Sequence, residues 1–294
     1  MGTDGATDVF EEHRPVLTGV AYRMLGRVAD AEDVVQEAWL RWSGTDRAVV
    51  REPRAYLVRI TTRLAVDRLR QVKARSETYV GPWLPEPVAT DYAGTVPDAA
   101  ERAVLTDSVS LAVLVVLESL SPLERAVFVL REAFGYPFAE IARILERGEP
   151  AVRRMAVRAR RHVAERPPRY PVDPARQRDL TERFIAAAGG GDLEALLALL
   201  TPDARLVGDS GGKAKAPLRV IESADKIGRF LVAITRQPPP ETEVRIREIN
   251  GVPALVVLSA GRPDSVISLD VTEDGRISCV YIVRNPDKLS AVAP

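Results

Sequence analysis

The chain has little of the side-chain chemistry that metal sites and most enzymes use. Among its 294 residues are one cysteine, Cys279, and two histidines, His13 and His162. A single cysteine excludes an internal disulfide framework and a cysteine-rich metal site. Two histidines leave almost no material for a histidine-based triad or metal site. These absences disfavour cysteine- and histidine-based chemistry, and we expect no catalytic residues, no metal and no cofactor.

Long apolar runs are also missing, and aromatic residues are few. No run of about 18 apolar residues occurs, so we expect no membrane-spanning helix. The N-terminal segment is acidic and lacks the layout of a signal peptide, which favours a cytoplasmic protein. Aromatic residues make up 5% of the chain and apolar residues 46%, which is more typical of a largely helical protein than of an all-β one.

The charges are segregated, although 41 basic residues balance 41 acidic ones. Residues 1–40 contain three basic and eight acidic residues. Residues 41–80 contain ten basic and four acidic residues, and residues 141–170 contain nine and three. Two basic segments about 90 residues apart indicate a protein that contacts nucleic acid at two places.

Two proline-rich stretches divide the chain. The first runs from Gly81 to Pro97 and the second from Pro167 to Pro174. Proline disfavours both helices and strand pairing. We therefore expect one helical domain over residues 8–79, a linker over residues 80–100, a second helical domain over residues 101–166 and a third domain over residues 175–290.

The first block reads as amphipathic helices. Asp30 is a candidate N-cap for a helix over residues 31–42, and Pro53 can open a longer helix that ends near Arg75. The first helix has a polar outer face formed by Asp33, Gln36, Glu37 and Arg41. On the second helix, Leu57, Ile60, Thr61 and Leu64 share one side. The opposite side carries Arg59, Arg63, Val66 and Arg70.

The second block has the outline of a helix-turn-helix. Residues 104–120 are apolar almost all round and predict a buried helix. Ser121 and Glu124 form a capping-box pattern with Pro122 between them. Helices over residues 138–145 and 150–165 then flank a turn over residues 146–149. The last helix has an apolar seam behind an arginine face, which suits the DNA major groove; a solvated surface helix is the alternative.

The third block changes character. Helical patterns over residues 175–188, 192–200 and 223–236 precede strand patterns over residues 243–249, 254–259, 265–271 and 277–283. Turn signals such as Asn250-Gly251 and Asp274-Gly275 separate the strands. Helices followed by an antiparallel meander predict an α+β domain, in which Cys279 is buried in a strand.

Several segments resemble bacterial sigma factors. Asp30–Trp42 is similar to their segment that binds core RNA polymerase, and Pro53–Arg70 to the segment that recognises the −10 promoter element. Leu120–Leu130, followed by Phe138–Ala142, resembles the domain that binds the −35 element. Two sigma domains are typical of the extracytoplasmic-function (ECF) type. Tyr79–Pro87 and Asn285–Leu289 resemble the subgroup with a fused C-terminal SnoaL-like domain, sometimes called ECF41.

The resemblance implies a fold and a set of sites. The fold comprises two all-α sigma domains and a C-terminal α+β cone of the SnoaL or NTF2 type. The implied partners are promoter DNA and core RNA polymerase, through the β′ clamp helices and the β flap. The implied polymerase-binding residues are Asp33, Gln36, Glu37 and Arg41. The implied −10 residues are Arg59, Thr62, Arg63 and Arg70, with a flipped base read near Thr61, Thr62 and Arg63. The implied −35 residues are Arg153, Arg154, Arg158 and Arg161.

The subgroup also implies interdomain contacts that regulate the factor in cis. Their residues are Trp83, Leu84 and Pro85, then Asp209, Gly211, Gly212 and Lys213, then Asn285, Pro286, Asp287, Lys288 and Leu289. Three alternatives stay open at this stage. The third domain could be a SnoaL-type pocket enzyme or ligand sensor with a DNA-binding module, although it contains no histidine. The helical domains could form a repressor that needs no polymerase. The glycines after Asp209 could cradle a phosphate, although no P-loop pattern is present.

Overall fold

The computed structural model describes residues 3–46, 49–75, 79–90, 110–164 and 173–292. The chain divides into two compact units. The first consists of Met1–Glu77, Tyr92–Val109 and Val113–Arg166, and the second of Thr78–Asp91, Ser110–Ala112 and Pro167–Pro294. Both predicted helical domains therefore belong to the first unit. The predicted third domain belongs to the second unit, together with the start of the predicted linker.

Three helices make up the first half of the first unit. They are α1 (Thr3–Leu25), α2 (Val28–Ser43) and α3 (Pro53–Arg75), and Pro53 opens α3 as predicted. Helix α1 ends at Leu25, and Gly26, which follows it, has a φ of 69°. The buried Trp42 side chain joins α2 to α1, because its Nε1 donates a hydrogen bond of 2.9 Å to the carbonyl oxygen of Ala6.

Asp30 is not the N-cap of α2, contrary to the prediction. The helix begins at Val28, three residues before the predicted start, and the N-cap position is held by Arg27, whose side chain makes no capping bond. Asp30 is instead a buried residue of the first turn, and its carboxylate accepts a hydrogen bond of 2.6 Å from Arg68 of α3. This hydrogen bond is the largest cause that raises the pKa of Arg68. The Asp30 carboxylate thus joins two helices and does not cap one.

The second half of the first unit contains the predicted helix-turn-helix. Its elements are α4 (Leu111–Leu117), α5 (Pro122–Phe128), a π-helical turn (Val129–Ala133), α6 (Phe138–Leu145) and α7 (Glu149–Ala164). The first two residues of α4 are assigned to the second unit. The capping box of Ser121 and Glu124 is formed at α5, as predicted. The buried helix predicted over residues 104–120 is described only from residue 110 onward. Within that part, most apolar side chains are buried.

The turn between α6 and α7 depends on one left-handed residue. Helix α6 ends where Glu146 adopts a φ of 52° and a ψ of 50°. This conformation is uncommon for residues other than glycine, asparagine and aspartate. Behind the turn, the predicted apolar seam of α7 is buried through Val152, Met155, Ala156 and Ala159. The seam fixes which side of α7 faces outward.

The second unit is an α+β domain, as predicted. Its helices are α8 (Pro174–Gly189), α9 (Leu193–Leu199) and α10 (Ala224–Thr235). Its strands are β1 (Leu200–Asp209), β2 (Ile221–Glu222), β3 (Thr242–Ile249), β4 (Val252–Ser259), β5 (Arg262–Val271) and β6 (Ile277–Val283). They form one sheet in the order β2-β1-β6-β5-β4-β3. Strands β3 to β6 form the predicted antiparallel meander.

Strand β1 was not predicted, and it positions the domain's central cluster. It pairs in parallel with β6, so that Asp209 lies opposite Val283. The three helices and the sheet enclose one apolar core, to which Phe184, Leu231 and Val280 contribute. Cys279 of β6 is buried at 7% exposure, as predicted.

The predicted linker is not a free spacer over its described residues. Residues 84–89 are all buried within the second unit. Ala89 forms a bridge to Ile249 at the end of the edge strand β3. Beside it, the Asn250 amide donates to the carbonyl oxygen of Val88 at 2.8 Å, and the Thr90 amide donates to that of Glu248 at 2.8 Å. The proline-rich segment therefore extends the C-terminal domain, and proline did not prevent its backbone from pairing at this edge.

Candidate nucleic-acid interface

The polar residues predicted on α2 share an exposed face. Asp33, Gln36, Glu37 and Arg41 are exposed, while Val34, Val35 and Ala38 behind them are buried. Arg41 donates a hydrogen bond of 2.6 Å to Glu37 one turn earlier. Leu40, which lies beside them, is 63% exposed. The face combines charged groups with one large apolar side chain that the core does not use.

Helix α3 differs from the prediction on its basic side. Thr62 is fully buried, and its hydroxyl has no hydrogen-bond partner in the described part of the chain. Val66 is also buried, at 4% exposure, although the helical wheel placed it on the outer side. The reason is that α3 packs against α1 and α2 on one side and against α5 and α6 on the other. Thr62 is therefore not available as a −10 contact in this structure.

The arginines predicted on α3 each have a partner inside the first unit. Arg63 donates from Nε to the carbonyl oxygen of Ile144 at 3.0 Å, and its guanidinium lies 2.7 Å from the Glu146 carboxylate. Arg59 stacks over the Tyr56 ring at 5.0 Å, beside an open cleft between α3 and α6. Arg70, at the exposed end of the face, pairs with Asp67 at 2.9 Å.

The arginines of α7 fall into two groups. Those at the flanks of the exposed face form ion pairs: Arg153 with Glu149 at 2.5 Å, Arg158 with Glu124 at 2.7 Å and Arg160 with Glu132 at 2.7 Å. Arg154 and Arg161, nearer the middle of the face, are exposed. The flanks of the face are therefore neutralised by carboxylates, and its middle carries two exposed arginines.

Glu124 connects the capping box to the arginine face. Its carboxylate accepts from the Ser121 hydroxyl at 2.6 Å and from Nε of Arg158 at 2.7 Å. Burial raises the pKa of Glu124, but the hydrogen bonds from Ser121 and Arg158 outweigh this effect and leave the pKa below its usual value. Glu124 thus stays ionised and holds Arg158 in place.

In the second unit, the three predicted regulatory motifs meet at one buried ion pair. Asp209, at the end of β1, is 0% exposed, and its carboxylate lies 2.7 Å from Nζ of Lys288, which is itself 3% exposed. Asp209 also accepts from the Tyr79 hydroxyl at 2.5 Å and from the Leu84 amide at 2.8 Å. Lys288 donates to the carbonyl oxygen of Leu84 and lies 4.1 Å from the centre of the Trp83 ring. The proline-rich segment is therefore attached through both charges of the pair.

The glycines after Asp209 allow this close packing. A Cβ on Gly211, whose φ is 56°, would lie 2.5 Å from the Asn285 side-chain nitrogen and 3.1 Å from the Tyr79 hydroxyl. The Gly211 and Gly212 amides donate to the side chains of Asp209 and Ser210, respectively. These amides are already used within the loop, which disfavours the phosphate-cradle alternative. Lys213 forms an exposed ion pair with Asp287.

Some functional partners were missed by sequence reasoning. The pairing of Arg153 with Glu149 could have been found, because acid and base four residues apart face each other on a helix. Glu124, Glu132 and Glu146 are far in sequence from the arginines they contact, and no local pattern indicates those pairs. Tyr79 opens the Tyr79–Pro87 motif, but its hydrogen bond to Asp209 spans 130 positions.

Comparisons with known proteins agree with this architecture. The Sigma-70 region 2 family model matches residues 9–75, and the Sigma-70 region 4 model matches residues 110–163. The ECF RNA polymerase sigma factor SigJ of Mycobacterium tuberculosis is 39% identical over 292 residues, covering 96% of this chain and 92% of that protein. The chain belongs to the ECF RNA polymerase sigma factors. A probable ECF sigma factor from the same species, SigI, is 31% identical over 97% of this chain and 95% of its own length.

The crystal structure of SigJ extends the similarity to the whole fold of this sigma factor. The two structures match with a TM-score of 0.78 at 36% identity, over 97% of this chain and 98% of the other. The predictions of an ECF sigma factor, of two helical sigma domains and of a C-terminal α+β domain are confirmed. A sigma factor that works with RNA polymerase at promoters is favoured over a pocket enzyme. In the described residues, no helix is long and apolar enough to cross a membrane, and no cluster of three or more potential metal ligands occurs.

Proposed function

We propose that this sigma factor binds core RNA polymerase through the outer face of α2 and acts in the cytoplasm. Asp33, Gln36, Glu37 and Arg41 would contact the β′ clamp helices, and the second helical block would contact the β flap. The exposure of all four α2 side chains supports this assignment. The α2 face contains two acidic residues, one neutral amide and one arginine, so it carries a net negative charge and its partner surface should be basic.

Promoter DNA would be contacted by α3 and α7. Arg59, Arg63 and Arg70 are the −10 candidates, because guanidinium groups suit phosphates and base edges. In this structure Arg63 is held by the carbonyl oxygen of Ile144 and by the Glu146 carboxylate. Binding of the −10 strand by Arg63 therefore requires that it leave these partners. The −35 element would be contacted by the exposed arginine face of α7, formed by Arg153, Arg154, Arg158 and Arg161.

The C-terminal domain would regulate the two DNA-binding blocks in cis, without a catalytic role. One observation carries this proposal: the buried Asp209–Lys288 pair holds the proline-rich segment against the C-terminal domain. That segment follows the −10 helix in the chain and precedes the −35 block. Attaching it shortens the span that is free to vary between the two blocks. Because effective concentration depends on linker geometry, attachment changes how well one polymerase can engage both promoter elements.

Run-off transcription with core polymerase tests this function. Three forms are compared on one promoter: the full chain, a chain truncated after Pro174 and a chain truncated after Val283. The second lacks the whole C-terminal domain, and the third lacks only Lys288 and the residues around it. We expect the two truncated forms to differ from each other and at least one to differ from the full chain. Identical transcription and equal polymerase affinity in all three would contradict cis regulation. Failure of the full chain to bind core polymerase would contradict the proposed role of α2.

A further inference from the structure

The outward face of α7 contains an apolar residue that the core does not explain. Val157 is 64% exposed, whereas Val152 and Met155 of the buried seam are 0% and 8% exposed. At 100° per residue, Arg154, Val157 and Arg161 lie within about 30° of the direction opposite to the centre of that seam. Val157 is thus in the middle of the face that points away from the domain.

The arginines around Val157 differ in whether they form ion pairs, according to their position on the helix. Arg153, Arg158 and Arg160 lie about 70–90° to the sides of the outward direction, and each is paired with a carboxylate of its own domain. Arg154, one turn before Val157, has no ion-pair partner among the residues that the structure describes. The arginines at the flanks of the face are therefore held in place by carboxylates. In the middle of the face, the guanidinium of Arg154 is without an ion pair in the described part of the chain and lies beside the exposed isopropyl group of Val157.

The chemistry of the major groove limits what Val157 can recognise. A valine side chain forms no hydrogen bonds, and the C5-methyl group of thymine is the apolar feature that a standard base pair presents there. Valine is also stiff, since its χ1 has one strongly preferred rotamer in a helix. Ordering it against a base would therefore cost little conformational entropy. Residues three or four apart on a helix have Cβ atoms about 5–6 Å from each other, so Arg154 can contact a neighbouring base or phosphate at the same time.

We propose that Val157 determines specificity at the −35 element by contacting the C5-methyl group of a thymine. The inference rests on the proposed role of α7 as the helix that reads this element. Arg154 supplies the adjacent polar or phosphate contact, and the paired arginines at the flanks hold the orientation of the face. Val157 itself contributes base preference and not overall charge attraction.

The proposal is tested by removing the methyl group of the thymine on the DNA side and the two methyl groups of Val157 on the protein side. Holoenzyme assembled from core polymerase and the full chain is used to select −35 sequences from duplexes randomised at that element. Each thymine of the selected element is then replaced by uracil, which lacks only the C5-methyl group. Affinities are measured for the unmodified chain, for Val157→Ala and for Arg154→Ala.

At one thymine, the unmodified chain should lose about fourfold in affinity on the change to uracil, as burial of a single methyl group predicts. Val157→Ala should bind the thymine and uracil duplexes equally, with unchanged thermal stability because the side chain is mostly exposed. Arg154→Ala should keep the fourfold difference while binding both duplexes more weakly and with a smaller salt dependence.

Two results would overturn the proposal and leave α7 as the recognition helix. They are equal binding of thymine and uracil duplexes by the unmodified chain at every position, and retention of the thymine preference by Val157→Ala. If selection returns no −35 preference at all, the assignment of α7 itself fails, and the inference fails with it. The readouts therefore separate failure of the valine contact from failure of the proposed function.

Discussion

The buried Asp209–Lys288 pair allows a quantitative prediction about how firmly the proline-rich segment is attached. Both side chains are almost inaccessible, at 0% and 3% exposure. Removing one partner of such a pair leaves an uncompensated buried charge and costs about 3–5 kcal/mol, whereas replacing both by neutral groups can be nearly neutral. We therefore expect Lys288→Met to lower the free energy of unfolding of the second unit by about 3–5 kcal/mol.

The double variant Asp209→Asn/Lys288→Met should be less destabilised than the sum of the two single variants. Asparagine keeps one oxygen, which can accept from the Tyr79 hydroxyl in place of Oδ1 or from the Leu84 amide in place of Oδ2, and methionine fills the space of the lysine stem. The interaction free energy from the double-mutant cycle should be at least about 2 kcal/mol, near the upper part of the range for residues in direct contact.

Equilibrium urea unfolding of the full chain measures these differences, and hydrogen exchange in residues 79–90 localises them to the attached segment. Lys213→Met is the matched control, because Lys213 pairs with Asp287 in the same loops but the two side chains are 53% and 51% exposed. This control should cost less than about 1 kcal/mol. The reasoning is refuted if Lys288→Met costs no more than Lys213→Met, or if the two single effects simply add.

Three further predictions concern the helical unit. Arg63→Ala should slow open-complex formation more than it weakens closed-complex binding, because a flipped base is exposed only after melting; equal losses in kinetic footprinting would leave Arg63 a phosphate contact. Ser121→Ala should lower the free energy of unfolding by about 1 kcal/mol in urea, since it removes the cap of α5; unchanged stability would show that the cap contributes nothing. The pKa of Glu124 is lowered in the fold, so its charge stabilises fully above its usual pKa of 4.5, and this stabilisation is lost as pH falls through the lower folded value. Glu124→Gln should therefore lose less stability than the unmodified chain on acidification below that pH, and an equal loss would contradict the role of this carboxylate.

Local patterns were sufficient for elements whose signals lie within a few residues. The capping box at Ser121 provides a hydrogen-bond acceptor for a backbone N–H at the start of α5, and the proline that opens α3 has no N–H to leave unpaired. Both are found where they were predicted. The meander of β3 to β6 followed from alternation and turn residues. Helix α6 matched its predicted range, although the left-handed residue after it is Glu146 and not the nearby Gly148.

Features that depend on distant partners could not be predicted in this way. A helical wheel predicts one buried and one exposed side from the sequence of a single helix. Helix α3 packs against other helices on two sides, so Thr62 and Val66 are buried although the wheel cannot show it. Strand β1 is stabilised by parallel pairing with β6, and the Thr-Pro-Asp sequence near its start gives a weak local signal. Asp30 looked like a cap because its partner, Arg68, lies on another helix.

The site residues also divide into those that local sequence predicts and those that depend on distant partners. Exposure of the α2 face and of the α7 arginines follows from periodicity, which local sequence contains. The partners that hold those arginines, Glu124 and Glu132, come from another helix or turn. The meeting of Tyr79, Asp209 and Lys288 depends on the tertiary fold alone, because the burial of the proline-rich segment leaves no periodic pattern.

The attachment of residues 79–90 to the C-terminal domain has a consequence for synthesis of the chain. Leu84 and Lys288, which share a hydrogen bond, are 204 positions apart. At a translation rate of about 5–20 residues per second, roughly 10–40 s pass between the synthesis of these two residues. The first DNA-binding block is complete before that interval and the second is made within it, while the apolar side chains of the segment still lack the domain that covers them. Each new molecule therefore exists first with an unattached segment, and a ribosome that stalls before Lys288 holds the sigma domains in a form that the completed chain does not keep.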